Sequence, residues 1–311
     1  MFASARSKPD DHPADPIGQR RSLDYLRPTL DAAEVAAGET NDIAKVLALF
    51  RTMPIDDLGI FLLGMPDPGY PRLSALFPQM AAAAVQTSWT GASGYPLLQQ
   101  SLTFVRLLSQ NFQAITGQPL HQRPILDFGC GWGRLIRLLY YFSDPALIYG
   151  CDPWDEAVQI CRTDRVLGNL AVSDYLPRSL PFDRQQFDLV YAFSVFTHLS
   201  ERAATAALKL LGEALSSNGV LAITIRPVEY WKIHPGIPAR DLAMLEAEHA
   251  TRGFAYRPHN REPVDGDITY GDTSISLDYL KNNFPQLQLR KIERSLDDPY
   301  QLVLFFTKGH T

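Results

Sequence analysis

Cysteine is scarce. Cys130, Cys151 and Cys161 are the three in 311 residues, an odd count without the paired spacing of zinc ligands, so neither a disulfide framework nor a metal site is expected. Long apolar runs are missing too: Ile60-Phe61-Leu62-Leu63-Gly64-Met65 and stretches like it fall far short of the roughly 20 residues that cross a bilayer. Residues 1–28 mix Pro, Asp, Arg and Ser and lack the apolar centre of a signal peptide, so they are expected to be a disordered leader on a soluble, cytoplasmic protein. Nor is there an excess of positive charge. The 29 Lys and Arg against 34 Asp and Glu leave a net charge of −5, which speaks against nucleic acid as the main partner. No internal repeat breaks the chain. What is present is a 46% hydrophobic sequence, long enough to bury one large core or two modest ones without stapling.

The hydrophobic period divides the rest. Residues 29–118 read as helical: Asn41 is placed to cap a helix carrying Ile43, Val46, Leu47 and Phe50 on one face, and Tyr95 to Ile115 repeats Leu97, Leu98, Phe104, Leu107 and Leu108. Between them, Pro66 to Pro78 reads as loop. From about residue 119 short apolar strands alternate with amphipathic helices, the sequence form of a parallel sheet covered on both faces. The strands are Pro124–Asp127, Leu147–Asp152, Leu170–Ser173, Phe187–Phe193 and Val220–Ile225. Before the last of these, Ser200 caps a helix, and Asn218-Gly219 is expected to end it in a left-handed turn. Residues 228–272 interrupt the alternation as an insert rich in aromatics, charges and prolines. Residues 273–311 then return to the sheet with Leu287–Leu289 and Gln301–Phe306, joined so tightly through Asp297-Asp298-Pro299 that the last strand should run antiparallel. The expected fold class is α/β: a doubly wound, mostly parallel seven-stranded sheet with an antiparallel last strand, a helical N-terminal region, a core over 119–227 and an insert before the final strands.

The first strand runs into Asp127-Phe128-Gly129-Cys130-Gly131-Trp132-Gly133. Strand, glycine loop and helix together bring backbone N–H groups close to a nucleotide-like ligand. Dinucleotide folds show G-x-G-x-x-G, whereas the spacing here is G-x-G-x-G with an acid two positions ahead. That carboxylate would repel a pyrophosphate, but it suits S-adenosylmethionine (SAM), which has no phosphate and presents an ammonium and a sulfonium. Asp152, 23 positions after Gly129, stands where an acid accepts hydrogen bonds from ribose hydroxyls, a role common to NAD and SAM sites.

At this point the chain resembles the class I, Rossmann-like SAM-dependent methyltransferases. Ile125 to Arg134 is similar to their first motif, Gly150-Cys151-Asp152-Pro153 to the ribose motif, Phe187 to Leu199 to the fourth-strand motif, and Asn218-Gly219-Val220-Leu221 to the entry of the fifth strand. The resemblance spans residues 119–227 strongly, the C-terminal strands weakly and the N-terminal third by no motif. It implies SAM as cofactor, with Asp127, Gly129 and Gly131, and Cys130 between them, at the methionine part, and Asp152 at the ribose. Ser173 or Asp174 would meet the adenine amino group, and Phe193 and Ser194 would border the sulfonium and the entering acceptor.

The acceptor itself leaves fewer marks. His198, four residues after Ser194, is the candidate general base, with Ser194 beside it at the mouth; His234, His249 and His259 in the insert are rivals. Each has an ordinary alternative as a surface or packing residue. Cys130 as a nucleophile lacks a nearby base. Ser88 to Tyr95 is either an interhelical loop or a flap over the methionine end. Ser194-Val195-Phe196-Thr197 lacks the Pro-Pro-aromatic sequence found in methyltransferases of nucleobase amino groups, and the strand end lacks the carboxylates of metal-dependent catechol methylation. The expected activity is SN2 methyl transfer to an O, N or C atom of a small molecule, sugar or lipid-like substrate, with no nucleic-acid or membrane partner. A non-catalytic SAM- or partner-binding module on the same fold is the alternative, and an NAD-dependent oxidoreductase a more distant one.

Overall fold

A computed structural model of the chain describes residues 23–40, 42–296 and 298–309. Residues 1–22 of the expected leader and the expected cap Asn41 lie outside them. The leader boundary at 28 is too late, because Leu23 is already buried and Asp24–Leu26 form a 3-10 turn leading into helix α1, Arg27–Glu39. Pro28 sits in the first turn of α1, where its missing N–H costs nothing. Asp42 supplies the cap of α2 (Ile43–Phe50), its carboxylate accepting the Ala44 N–H at 3.0 Å. There follow α3 (Ile55–Leu63), α4 (Pro71–Leu76) inside the stretch read as loop, α5 (Ala83–Thr90) and α6 (Gly94–Thr116).

The sheet has seven strands. In chain order β1 is Ile125–Phe128, β2 Ile148–Asp152, β3 Asn169–Val172, β4 Phe187–Ala192, β5 Leu215–Ile225, β8 Leu287–Arg294 and β9 Leu302–Lys308; the spatial order is β3-β2-β1-β4-β5-β9-β8. β1 to β5 pair in parallel, and β9 is antiparallel to both β5 and β8, as the short connection through Pro299 requires. Alternation along the strands separates two cores. Ile125, Leu189, Tyr191, Val220 and Phe305 face the N-terminal helices and α7 (Arg134–Leu139), whereas Leu126, Phe128, Val190, Leu221 and Leu304 face α9 (Glu201–Glu213). The N-terminal region is thus the cover of one sheet face, sharing its core. Helix α8 (Asp155–Thr163) packs between β2 and β3.

One turn reading is corrected. Ser200 caps α9 as expected, accepting the Ala203 N–H at 3.2 Å, but the helix ends at Ala214 and the chain passes directly into β5. Asn218-Gly219 lies inside that strand, and Gly219 is not left-handed. The glycine serves a close approach: a Cβ there would meet the Phe187 carbonyl oxygen at 2.8 Å, beside the register shift between Phe187 and Leu189.

The insert holds α10 (Tyr230–Ile233), α11 (Ala239–Arg252) and an antiparallel ribbon of β6 (Phe254–Pro258) and β7 (Gly271–Ile275), before α12 (Leu277–Asn283). It is sewn to the sheet ends by backbone. Gly271 N donates to His198 O at 2.8 Å, Thr273 N to Thr197 O at 3.0 Å, Ser200 N to Thr269 O at 3.1 Å and Ile275 N to Arg226 O at 3.0 Å. These bonds fix the segments leaving β4 and β5 against the ribbon. Among the described residues no helix is long and apolar enough to cross a membrane.

Candidate active site

The carboxyl ends of β1, β2, β4 and β5 converge on the glycine loop. Asp127 is the third residue of β1, beside Tyr191 of β4 on the face covered by the N-terminal helices, and only 2% of it is exposed. Burial pushes its pKa up to about 7; the Tyr191 hydroxyl and the more distant Arg134 oppose that, and Asp152 adds to it. Arg134 does not neutralise it by contact: that guanidinium lies over the Phe193 ring at 5.2 Å and donates to Gln100 at 2.7 Å, and burial lowers its pKa to about 10. The buried carboxylate therefore suits a ligand that brings its own cation.

The loop is tied to β2. Gly129 N and Cys130 N both donate to the Cys151 carbonyl, at 2.7 and 3.0 Å, and Gly131 N donates to Asp152 Oδ2 at 2.9 Å. Asp152 Oδ1 accepts the Trp154 N–H at 2.9 Å, so the acid is locked against the loop while burial raises its pKa. Cys130 offers neither its N–H nor a reactive thiol. Its Sγ lies under the loop 3.7 Å from Gly131 O, and its bond to Cys161, with burial, raises its pKa well above the ordinary thiol value.

Ser88 to Tyr95 is not a plain loop but the end of α5, a left-handed Gly91 and the start of α6. From it Trp89 reaches the glycine loop and stacks on Trp154, ring centroids 4.6 Å apart and planes 8° from parallel. Its Cζ3 would lie 3.3 Å from a Cβ on Gly131, a residue with φ +54°. Gly131→Ala is accordingly expected to cost about 1–2 kcal/mol, read as a drop in Tm of the free protein; an unchanged Tm would mean the loop is not held in this form.

Farther along, Ser173 N donates to Asp152 O at 3.0 Å and its buried Oγ lies against the Cys151 thiol, while Asp174 is exposed. Phe193 sits between Arg134 and Phe104, the latter ring 4.2 Å away. Ser194 has φ +57°, an uncommon conformation for a side-chain-bearing residue; its N–H donates to Thr224 Oγ1 at 2.7 Å and its Oγ meets the Gln301 amide at 3.1–3.2 Å. The structure thus brings Asp127 of β1 and Asp152 of β2 together around the loop of Gly129 and Gly131, with Phe193 and Ser194 at the neighbouring strand end.

Three of the four histidines weighed in the sequence meet at one carboxylate. Asp272 of β7 accepts His234 Nε2 at 3.0 Å, His259 Nε2 at 2.9 Å and the Tyr230 hydroxyl at 3.1 Å, and lies 3.8 Å from His198 Nδ1. Burial alone would raise the pKa of Asp272; the two histidine bonds more than offset it and hold the group well below the usual carboxylate range. Its stabilising contribution is therefore present above about pH 4 and lost only in acid. His249 stands apart, bonded to Ser274 Oγ at 2.8 Å. His198 has a different geometry. Its Nδ1 lies 2.8 Å from Gly271 O, which can only accept, so Nδ1 carries the proton and Nε2 is left as a lone pair. Burial lowers its pKa, keeping the ring neutral, and it stacks on Tyr270 at 5.0 Å. Asp272→Ala is expected to destabilise the protein by about 2–4 kcal/mol and to expose residues 228–275 to limited proteolysis; resistance equal to the parent would disprove that role.

Sequence reasoning passed over Arg134, Tyr191, Trp154, Arg226, Asp272 and Gln301. For Tyr191 a signal existed, since it is two residues before Phe193 on a strand and must face the same side. Asp272 had none, because its importance depends on how β6 and β7 pair.

Residues 125–219 match the family model described as "Methyltransferase domain". This stretch is a methyltransferase domain. That stretch carries the loop at Asp127 and supplies β1 to β4 and the start of β5 in the seven-stranded, mostly parallel sheet. Solved structures similar to the chain include a magnesium protoporphyrin IX methyltransferase from Synechocystis with bound SAH, 16% identical, covering 68% of this chain and 83% of that one, TM-score 0.44. A TehB-like SAM-dependent methyltransferase from Corynebacterium glutamicum is 19% identical over 72% of this chain and 93% of that one, TM-score 0.43. The glycopeptide N-methyltransferase MtfA complexed with sinefungin is 12% identical over 65% and 92%, TM-score 0.44. Among curated proteins none matches the chain in sequence.

Proposed function

We propose that the chain is a SAM-dependent methyltransferase of the class I, Rossmann-like kind that acts on a small molecule, sugar or lipid-like acceptor, by in-line displacement at an O, N or C atom, with His198 as general base. The observation that carries the reading is the His198 tautomer: with Nδ1–H donated to Gly271 O, the bare Nε2 of a neutral ring stands beyond the carboxyl end of β4. Asp127 and the loop glycines are assigned to the methionine part of SAM, Asp152 to the ribose hydroxyls, and Ser173 or Asp174 to the adenine edge. Phe193 and Ser194 are assigned to the boundary between cofactor and acceptor.

Bound there, SAM supplies a methyl group on a sulfonium, which leaves without needing a proton. The chain's part is alignment and exclusion of water. Phe193 and Phe104 wall the strand end, the ribbon-bound segment 197–200 fixes the base, and His198 Nε2 takes the proton of an attacking hydroxyl or amine. The Ser194 Oγ, held by Gln301, offers a hydrogen bond to orient the acceptor. Calorimetry with SAM, SAH and NAD, followed by labelled SAM in a metabolite extract, tests the proposal. SAM and SAH should bind, NAD should not, and label should pass to small molecules; label found only on protein or nucleic acid would overturn the acceptor class.

A further inference from the structure

Arg226 immediately follows β5 and brings a guanidinium to the carboxyl ends of β4 and β5, the crevice in which open α/β sheets receive ligands. The side chain is 15% exposed, yet among the described residues its guanidinium makes no hydrogen bond. Nε is buried without a partner, the Asp298 carboxylate stands off at 3.6 Å, and Tyr230 offers only its ring face, 4.1 Å from the guanidinium carbon. A guanidinium carries five N–H donors in a planar fork, and leaving them unmade away from water is unfavourable. An anion in the plane of that fork would pair with two of them, the buried Nε–H included.

The surroundings choose among anions. Asp272 is ionised and buried close by, and Asp298 already faces the arginine, so a doubly charged phosphate would be repelled about twice as strongly as a singly charged carboxylate. A carboxylate also matches the fork with two parallel bonds. The base is within reach of the same ligand: Arg226 is near enough for its charge to disfavour protonation of His198. Tyr270, stacked on His198, and Tyr230, under Arg226, give the pair aromatic flanks.

We infer that Arg226 is a specificity residue that grips a carboxylate of the methyl acceptor, taking over the place Asp298 half fills, so that the substrates are hydroxycarboxylic acids whose hydroxyl is presented to His198. The inference rests on the reading of the surroundings of His198 as the acceptor site. Benzoate and benzamide, which differ in charge but little in shape, probe it by calorimetry on the full chain loaded with SAH. Benzoate should bind at least about tenfold tighter than benzamide, and Arg226→Gln should erase the difference. Asp298→Asn, which removes the competing carboxylate, should strengthen benzoate binding several-fold, and neither variant should move SAH affinity more than about twofold. Turnover of hydroxybenzoates with labelled SAM should exceed that of the matching hydroxybenzamides, and Arg226→Gln should raise KM far more than it lowers kcat. Equal or absent binding of the two probes overturns the inference, as do tighter binding of phenyl phosphate and a benzoate affinity weakened by Asp298→Asn. A tenfold loss of SAH affinity in Arg226→Gln does so too, since the arginine would then hold the cofactor's own carboxylate. Methylation of neutral alcohols that is untouched by Arg226→Gln leaves the proposed function standing and removes this inference alone; failure of the parent to bind SAH removes both.

Discussion

Asp127→Asn is expected to weaken SAM binding about a hundredfold while making the free protein more stable above pH 7. Both effects come from one buried carboxylate. Its folded pKa, about 7, lies above the unfolded value of 3.8, so between those values the folded state holds a proton that the unfolded state has released. Stability therefore falls as pH rises through this window and levels off above it. A folded value of about 7 against 3.8 corresponds to a burden of about 4 kcal/mol at pH 8, which a neutral amide of the same shape does not carry. The gain in Asp127→Asn should shrink to nothing as pH is lowered towards 4, read by urea denaturation at several pH values. A gain independent of pH would show that packing, not ionisation, changed. In the parent, the charge proposed to receive the ammonium of SAM is missing below pH 7, so Kd should rise up to about tenfold per pH unit on the acid side and stay flat above. Asp127→Asn should have lost that slope.

His198→Gln should lower kcat by about 10²–10³ with SAH affinity intact. The acid limb of the parent pH–rate profile should lie below the ordinary histidine value, because burial lowers the His198 pKa, and the variant should lack that limb. Retention of the limb would transfer the titration to another group. His259→Gln, by contrast, should leave kcat within about threefold, since its Nε2 is committed to Asp272.

The sheet was legible because β1 to β5 are short, apolar and separated by amphipathic helices, and the loop because an acid ahead of G-x-G-x-G is chemically selective. Where local signals misled, packing had overruled them. Asn218-Gly219 is a strong turn signal, but the glycine is needed where the Phe187 carbonyl presses on β5. Pro66 to Pro78 holds a six-residue helix, α4, too short to show a period. Within the site, the residues next to the glycines could be placed by counting along strands. The ranking of histidines could not, since His234 and His259 lie 38 and 13 residues from Asp272 and are gathered only by the fold of the insert. Arg226 was invisible for another reason: an arginine after a strand is ordinary until its donors are seen to lack acceptors.

The two stacked indoles at the glycine loop make the protein its own optical gauge. Parallel chromophores at 4.6 Å share their excitation, so the pair should give a split circular-dichroism band that neither Trp89→Phe nor Trp154→Phe retains. Because one ring belongs to the cover of the sheet and the other follows Asp152, any rearrangement of that cover on loading the loop will be written in this band, in real time and without a label.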